Sequence, residues 1–243
     1  MAANEHPEKE KKDNARQLLL EAARRLFTEK GYQEVSTREL ADAAGVNLAA
    51  IQYHFGSKAQ LFSDAVRSIM EENGCSQMAN LLNEPVKTPA EAADRLFGFI
   101  QGYISELLRP RGPQACRIMF REMMSGAMEN EDLRRVLVQT VVEHVTKPVD
   151  DLILGLLGTI FPQMSRQQLQ RGVQSIIGQC SFYVVHQPFV EYLRGVKCAD
   201  TPYFEETSEH IFTFSMRGLG GSEELIGQTI ANHGQPKQQL SQN

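Results

Sequence analysis

The stretch S-T-R-E-L-A-D-A-A-G-V-N-L-A-A-I-Q-Y-H-F-G-S-K-A-Q-L-F, residues 36–62, reads as two short helices joined by a tight turn, then the start of a third. Ser36 and Glu39 have the S-x-x-E spacing of a capping box, which predicts a helix from Thr37. Leu40, Ala41 and Ala44 give that helix one apolar side, and Gly45 supplies the left-handed residue that ends it. Asn47 is placed to cap a second helix starting at Leu48. In it Ile51 and Phe55, four apart, face the core with Ala50, so Leu48, Ala49, Gln52, Tyr53 and His54 point elsewhere. A glycine-turned helix pair with a polar and aromatic outer face suits a helix-turn-helix, whose second helix enters the major groove of duplex DNA.

Outward from this stretch, Ala15, Leu18, Leu19, Ala22, Ala23, Leu26 and Phe27 recur at helical spacing and predict a bracing helix from Asn14 to Lys30, closed by Gly31. Residues 1–13 read as a flexible arm; Lys9, Lys11 and Lys12 could brush phosphates, but interleaved Glu8, Glu10 and Asp13 favour a solvated tail. Ser57 caps a further helix with Lys58 in its first turn, a natural phosphate site. These boundaries give an arm (1–13), a helix-turn-helix domain (14–62), a larger helical domain (63–218) and a flexible, Gly-, Gln- and Asn-rich tail (219–243). In the larger domain Thr88-Pro89, Ser165 and Thr201-Pro202 open helices. A long apolar pattern from Glu131 to Phe161 is kinked by Pro148. No strand pattern emerges; the fold class is all-α.

The segment Ala15–Asp64 resembles the DNA-binding domain of TetR-type transcriptional regulators. The matching residues are A-A-R-R-L-F-T-E-K-G-Y (22–32), S-T-R-E-L-A-D-A-A-G-V (36–46), I-Q-Y-H-F (51–55) and S-K-A-Q-L-F (57–62). The stretch R-I-M-F-R-E-M-M (117–124) further resembles the subgroup with a YbiH-like (CecR-like) C-terminal domain. The resemblance implies a homodimer on an operator, a small-molecule inducer, and backbone contacts from the positions of Tyr53, His54 and Lys58; the subgroup adds efflux or antibiotic-sensitivity genes as plausible targets.

The residues themselves allow a finer assignment. Gln52 can pair bidentately with adenine, and Leu48 and Ala49 can meet a thymine methyl. Thr37, Arg38, Tyr53, His54 and Lys58 suit phosphate oxygens, with Asn47 at the turn. Tyr53 as a packing aromatic and His54 as a hydrogen bond closing the turn stay open. Two heads are needed to read a palindrome. Val173, Ile177, Cys180, Val184, Ile211 and Phe214 offer stripes for a dimer bundle, unless they face the protomer core. Phe97, Tyr103, Arg117, Phe120, Arg121, Met124, Gln179 and Tyr183 combine aromatic and polar groups suited to a ligand pocket. Arg117 and Arg121 could receive an anionic inducer or form a solvated face.

Composition excludes other classes. Of 243 residues 42% are hydrophobic, enough for a core, while no apolar run reaches the ~18 residues of a membrane span. The N-terminal stretch lacks a signal-peptide core, so the expected location is the cytoplasm, with no membrane partner. Cysteines 75, 116, 180 and 198 form no C-x-x-C pair, arguing against a zinc knot or a disulfide framework, and no metal or cofactor is expected. No G-x-S-x-G, Walker or H-E-x-x-H motif appears, so no catalytic residue is assigned. The rival reading is an α-helical small-molecule-binding protein or enzyme with a vestigial helix-turn-helix. The net charge of −5 arises beyond residue 60, because residues 1–60 balance nine Lys/Arg against nine Asp/Glu. Any phosphate-binding footprint is therefore local.

Overall fold

The computed structural model describes residues 6–72, 85–108, 118, 121–122, 125 and 129–233, and among them the chain is all helical. It divides into two compact units, Met1–Ser76 with Pro113–Thr146, and Gln77–Gly112 with Lys147–Asn243.

The first unit begins with α1 (His6–Lys30). The expected arm is thus helical from residue 6, and residues 1–5 lie outside the described residues. Pro7 falls in the first turn of the helix, where its missing N–H has no intrahelical partner to lose. α2 (Thr37–Ala44) opens on Ser36, whose Oγ accepts from the Glu39 N–H at 3.1 Å. It closes on Gly45 at φ 66°, with Val46 N–H to Ala41 O and Gly45 N–H to Asp42 O, the two bonds of a Schellman motif. α3 (Ala49–Phe55) follows, with Asn47 Oδ1 accepting from Ala49 N–H at 2.9 Å. α4 (Lys58–Glu72) is capped by Ser57, whose Oγ accepts from Gln60 N–H at 3.1 Å. The buried stripe of α1 (Leu19, Ala23, Phe27) meets Leu40 of α2 and Leu61, Phe62 and Ile69 of α4 in one core. Phe27, Tyr32 and Phe62 make edge and stacked contacts there, with centroids 4.9–6.1 Å apart.

Two segments assigned from sequence to the larger domain belong to this unit. α4 is one. The other is α6 (Glu131–Val141), whose Leu133 and Leu137 enter the same core, while Thr140 and buried Ser63 of α4 hydrogen-bond through their hydroxyls. The boundary placed at residue 62 therefore does not follow the packing, because α4 carries apolar residues along its whole length. After α6 the helix passes into a π turn, Val142–Thr146. Pro148, two residues on, has no N–H to donate to the carbonyl four residues back, and a widened turn accommodates that loss. The long apolar pattern expected to kink at Pro148 is interrupted by this π turn just before the proline.

The second unit contains α5 (Pro89–Leu108), α7 (Lys147–Ile160), α8 (Arg166–Val185), α9 (Gln187–Arg194), α10 (Thr201–Gly218) and α11 (Glu223–His233). Thr88 and Glu91 close a reciprocal cap on α5, and Ser165 and Gln168 close one on α8. α5 is central: Leu96, Ile100 and Ile104 are fully buried with Ile153 and Leu157 of α7, Ile176 of α8 and Phe212 and Met216 of α10. The expected flexible tail is α11 as far as His233. Ser222 Oγ caps it by accepting from Leu225 N–H, and Ile226 and Thr229 are buried. Residues 234–243 lie outside the described residues. No helix among the described residues is long and apolar enough to cross a membrane.

Candidate nucleic-acid interface

The turn from α2 to α3 decides what α3 can present. Gly45 reverses the chain within one residue, Asn47 fixes the first turn of α3, and Ile51 and Phe55 anchor it at 3% and 6% exposure. The opposite face is left to solvent. Leu48, Ala49, Gln52 and Tyr53 are all exposed there, Tyr53 at 67%, and Arg38 is exposed on α2 with Thr37 half-buried. An exposed leucine and tyrosine flanking a glutamine on a rigid two-turn helix provide apolar contact and a bidentate amide.

His54 is half-buried, with its ring edge-on to Tyr53 at 4.9 Å and toward Phe55 at 6.4 Å. Around this helix the supports are ionic. Arg16 lies over the Phe55 ring at 5.2 Å and pairs with Asp64 at 3.0 Å, joining α1 to α4 beside the end of α3. Lys30 pairs with Glu39 at 2.6 Å, holding the end of α1 to the first turn of α2; that bond keeps the Glu39 carboxyl below its ordinary range.

Lys58 is half-buried, and its Nζ sits 4.1 Å from the centroid of the Tyr32 ring. Burial lowers its ammonium pKa, opposed by the negative charge of Glu122. Glu122 is itself 2% exposed and accepts from the Tyr32 N–H at 3.2 Å. No pattern of spacing marks this carboxylate beyond its place next to Arg121.

Two model matches and several relatives place this geometry in a family. The chain matches the model described as bacterial regulatory proteins, tetR family, over residues 19–65. It also matches that of the HTH-type transcriptional dual regulator CecR, C-terminal domain, over residues 92–219, more than half of the chain. The chain belongs to the TetR family. Among its relatives, the transcriptional repressor AcnR of Corynebacterium glutamicum is 40% identical over 84 residues, covering 31% of this chain and 45% of that protein. The dual regulator CecR of Shigella flexneri is 34% identical over 138 residues, covering 56% of this chain and 50% of that protein. The chain thus spans about half the length of these curated relatives. A solved transcriptional regulator from Pseudomonas aeruginosa PAO1 shares the fold at TM-score 0.59 and 17% identity, covering 89% and 93% of the two chains.

The TetR-like second unit sorts the remaining candidates. Phe97 is buried against Phe212 and His233 at 5.1 and 4.8 Å, a core position. Tyr103, half-buried, stacks on Phe99. Gln179 donates to Ser215 Oγ at 3.0 Å, and with Tyr183 it lines a groove of about 530 Å³ between α8 and α10. Arg121 does not join them. Its guanidinium donates to the Phe27 and Thr28 carbonyls at the end of α1, in the first unit. Positive charge is favoured at a helix C-terminus, and the Phe27 carbonyl accepts there from both this guanidinium and the Gly31 N–H. Arg117, Phe120 and Met124 lie outside the described residues.

Of the dimer candidates, Val173, Cys180 and Ile211 are buried in the protomer core and Ile177 is half-buried; the side chain of Val184 is not among those described. Phe214 faces outward at 62% exposure, on the same groove as Phe182 at 48%. Phe182 and Val185, exposed on α8, were missed because they lie off the stripe that fills the core.

Proposed function

We propose that this protein is a ligand-responsive transcriptional regulator, most simply a repressor, whose homodimer binds a palindromic DNA operator and releases it when a small molecule binds the second unit. The observation that carries this reading is the row Leu48, Ala49, Gln52 and Tyr53, exposed on a helix that Ile51 and Phe55 fix in place. Membership of the TetR family supports it, as does AcnR, which is named a repressor. NalD of Pseudomonas aeruginosa, titled the secondary repressor of the MexAB-OprM multidrug efflux pump, supports the fold alone, at TM-score 0.54 and 20% identity over 86% of this chain and 97% of that one. In this scheme Gln52 and the apolar Leu48 and Ala49 read bases, whereas Thr37, Arg38, Tyr53, His54 and Lys58 hold phosphates and set the register. Asn47 shapes the turn. Phe182 and Phe214 belong to the self-association face.

Selection of bound fragments from random duplex DNA at moderate salt tests this. The expected result is a palindrome whose half-site centres lie one helical turn, ~34 Å, or a multiple apart. Binding of that palindrome should be lost in the double variant Gln52→Ala, Lys58→Ala. A folded, dimeric protein that enriches no sequence would sink the proposal.

A further inference from the structure

We infer that α9 is a grip by which one copy of this chain holds a second, its exposed face extending the self-association surface of α8 and α10. This rests on the reading that Phe182 and Phe214 belong to that surface.

α9 follows directly on α8. His186 ends one helix and begins the other: its N–H donates to the Phe182 carbonyl at 2.9 Å, and its own carbonyl accepts from the Phe189 and Val190 N–H groups at 3.0 Å. Pro188, in the first turn of α9, interrupts the backbone ladder, yet the apolar spacing runs on across the break. Phe182, Val185, Phe189 and Tyr192 recur at alternating intervals of three and four, the repeat of a helix seam, with Leu193 beside the last. The rings also meet. His186 stacks on Phe182 with centroids 4.6 Å apart and reaches toward Phe189 at 6.4 Å.

The other side of α9 is anchored to its own protomer. Val190 packs against the core of the second unit, and the Glu191 carboxylate accepts from the Cys198 N–H at 3.0 Å and from Gln187 Nε2 at 3.1 Å. Lys197 pairs with the same carboxylate at 3.5 Å, and Gly195, left-handed at φ 65°, ends the helix. A helix held in this way presents Phe189, Tyr192 and Leu193 to solvent at 68%, 90% and 78% exposure.

Area decides what covers them. A stable homodimer buries ~800 Å² per partner, of which about 65%, or ~500 Å², is apolar. At ~200 Å² per aromatic side chain, Phe182 and Phe214, exposed at 48% and 62%, offer roughly 200 Å², less than half of that. On the same basis Phe189 and Tyr192 add roughly 300 Å², and Val185 and Leu193 enlarge the patch further. The rings of α8 and α10 alone fall short of a homodimer's apolar area, and those of α9 close the gap. A patch of this size marks a protein contact. Its occupant is the second copy because the stripe is unbroken from Phe182 to Tyr192, so that what covers one end covers the other.

The test uses the full-length protein, by sedimentation over a dilution series. Tyr192→Gln with Leu193→Gln removes the apolar face of α9 while keeping the net charge and good helix formers. Both positions are exposed, so the urea midpoint should stay at the wild-type value. The dimer should weaken at least about thirtyfold, as for loss of an interface anchor. Tyr192→Phe with Leu193→Met keeps the apolar surface and should keep the dimer. As a second readout, a Leu193→Cys protein should react with maleimide when diluted to monomer and be protected where the dimer forms, as read by peptide mass mapping. An unchanged dimer for the glutamine pair, or equally fast labelling at both concentrations, overturns the inference. If Phe214→Glu weakens the dimer in that case, the α8 and α10 face stands without α9. Equal weakening by the glutamine pair and by the Phe and Met pair would mean that α9 acts only through packing inside the protomer, and overturns it too. Should the glutamine pair not fold, protection at position 193 decides alone. A wild type that is monomeric at micromolar concentration fails the self-association reading, and this inference falls with it.

Discussion

Cys180 illustrates how completely a side chain's chemistry depends on where the helix turns it. On sequence it belonged to a stripe that could face a partner subunit; in the fold it is fully buried and its thiol is pushed up to about 12 by desolvation. The folded chain therefore holds this proton more tightly than the unfolded one, whose thiol titrates near 9.0. The stability gained is complete below pH 9 and is lost as pH climbs toward 12. A thiol with so little thiolate is also a poor nucleophile. At pH 9 iodoacetamide should alkylate Cys180 in urea-unfolded protein and leave it unmodified in native protein, as read by peptide mass mapping. Native labelling as fast as unfolded labelling would mean that α8 does not bury this position.

At the scale of elements, the helices that could be read from sequence are those whose ends are written locally. Ser36, Gly45, Asn47, Ser57, Thr88 and Ser165 each make the backbone bond that their residue type suggested. Gly45 carries the most consequence, because it sets the angle at which α3 leaves α2. An added Cβ there meets nothing within 4 Å, so only the left-handed backbone opposes alanine. Gly45→Ala should cost about 1–2 kcal/mol from that backbone alone. Urea unfolding would show it as a lower midpoint at unchanged slope. A loss several times larger would reveal contacts at this turn that the geometry does not contain. What failed locally failed for physical reasons. The tail's Gly, Gln and Asn content hid Ile226, Thr229 and Ile230, which suffice to seat α11 once α5 offers an apolar surface. The hydrogen bonds of Arg121 to the Phe27 and Thr28 carbonyls are made across more than ninety residues of sequence, and no periodicity announces a partner that is a backbone carbonyl.

For the whole molecule, the same limit governs the choice between core and interface. Helical spacing marks Val173, Cys180 and Ile211 as apolar on one side, but a protomer core and a subunit contact demand the same pattern. Burial separates them. The residues left over, Phe182, Val185 and Phe214, are large, apolar and exposed on α8 and α10, a cost that a monomer has no reason to carry. Under the proposed function, the acidic balance beyond residue 60 favours a reader with two heads, since a neutral head gains little from non-specific attraction. Phe214→Glu tests this reading. The position is exposed, so the protomer should keep its fold and its urea midpoint. In a self-association face the new carboxylate would be buried opposite its own mate across the symmetry axis or against the aromatic ring of Phe182, and an anchor lost there costs at least about 2 kcal/mol. That corresponds to a roughly thirtyfold weaker dimer. Sedimentation at micromolar concentration should show the variant shifted toward monomer, and operator binding should fall with it because a single head buries too little surface. A Phe214→Glu protein that sediments as the wild type does would place self-association on another face.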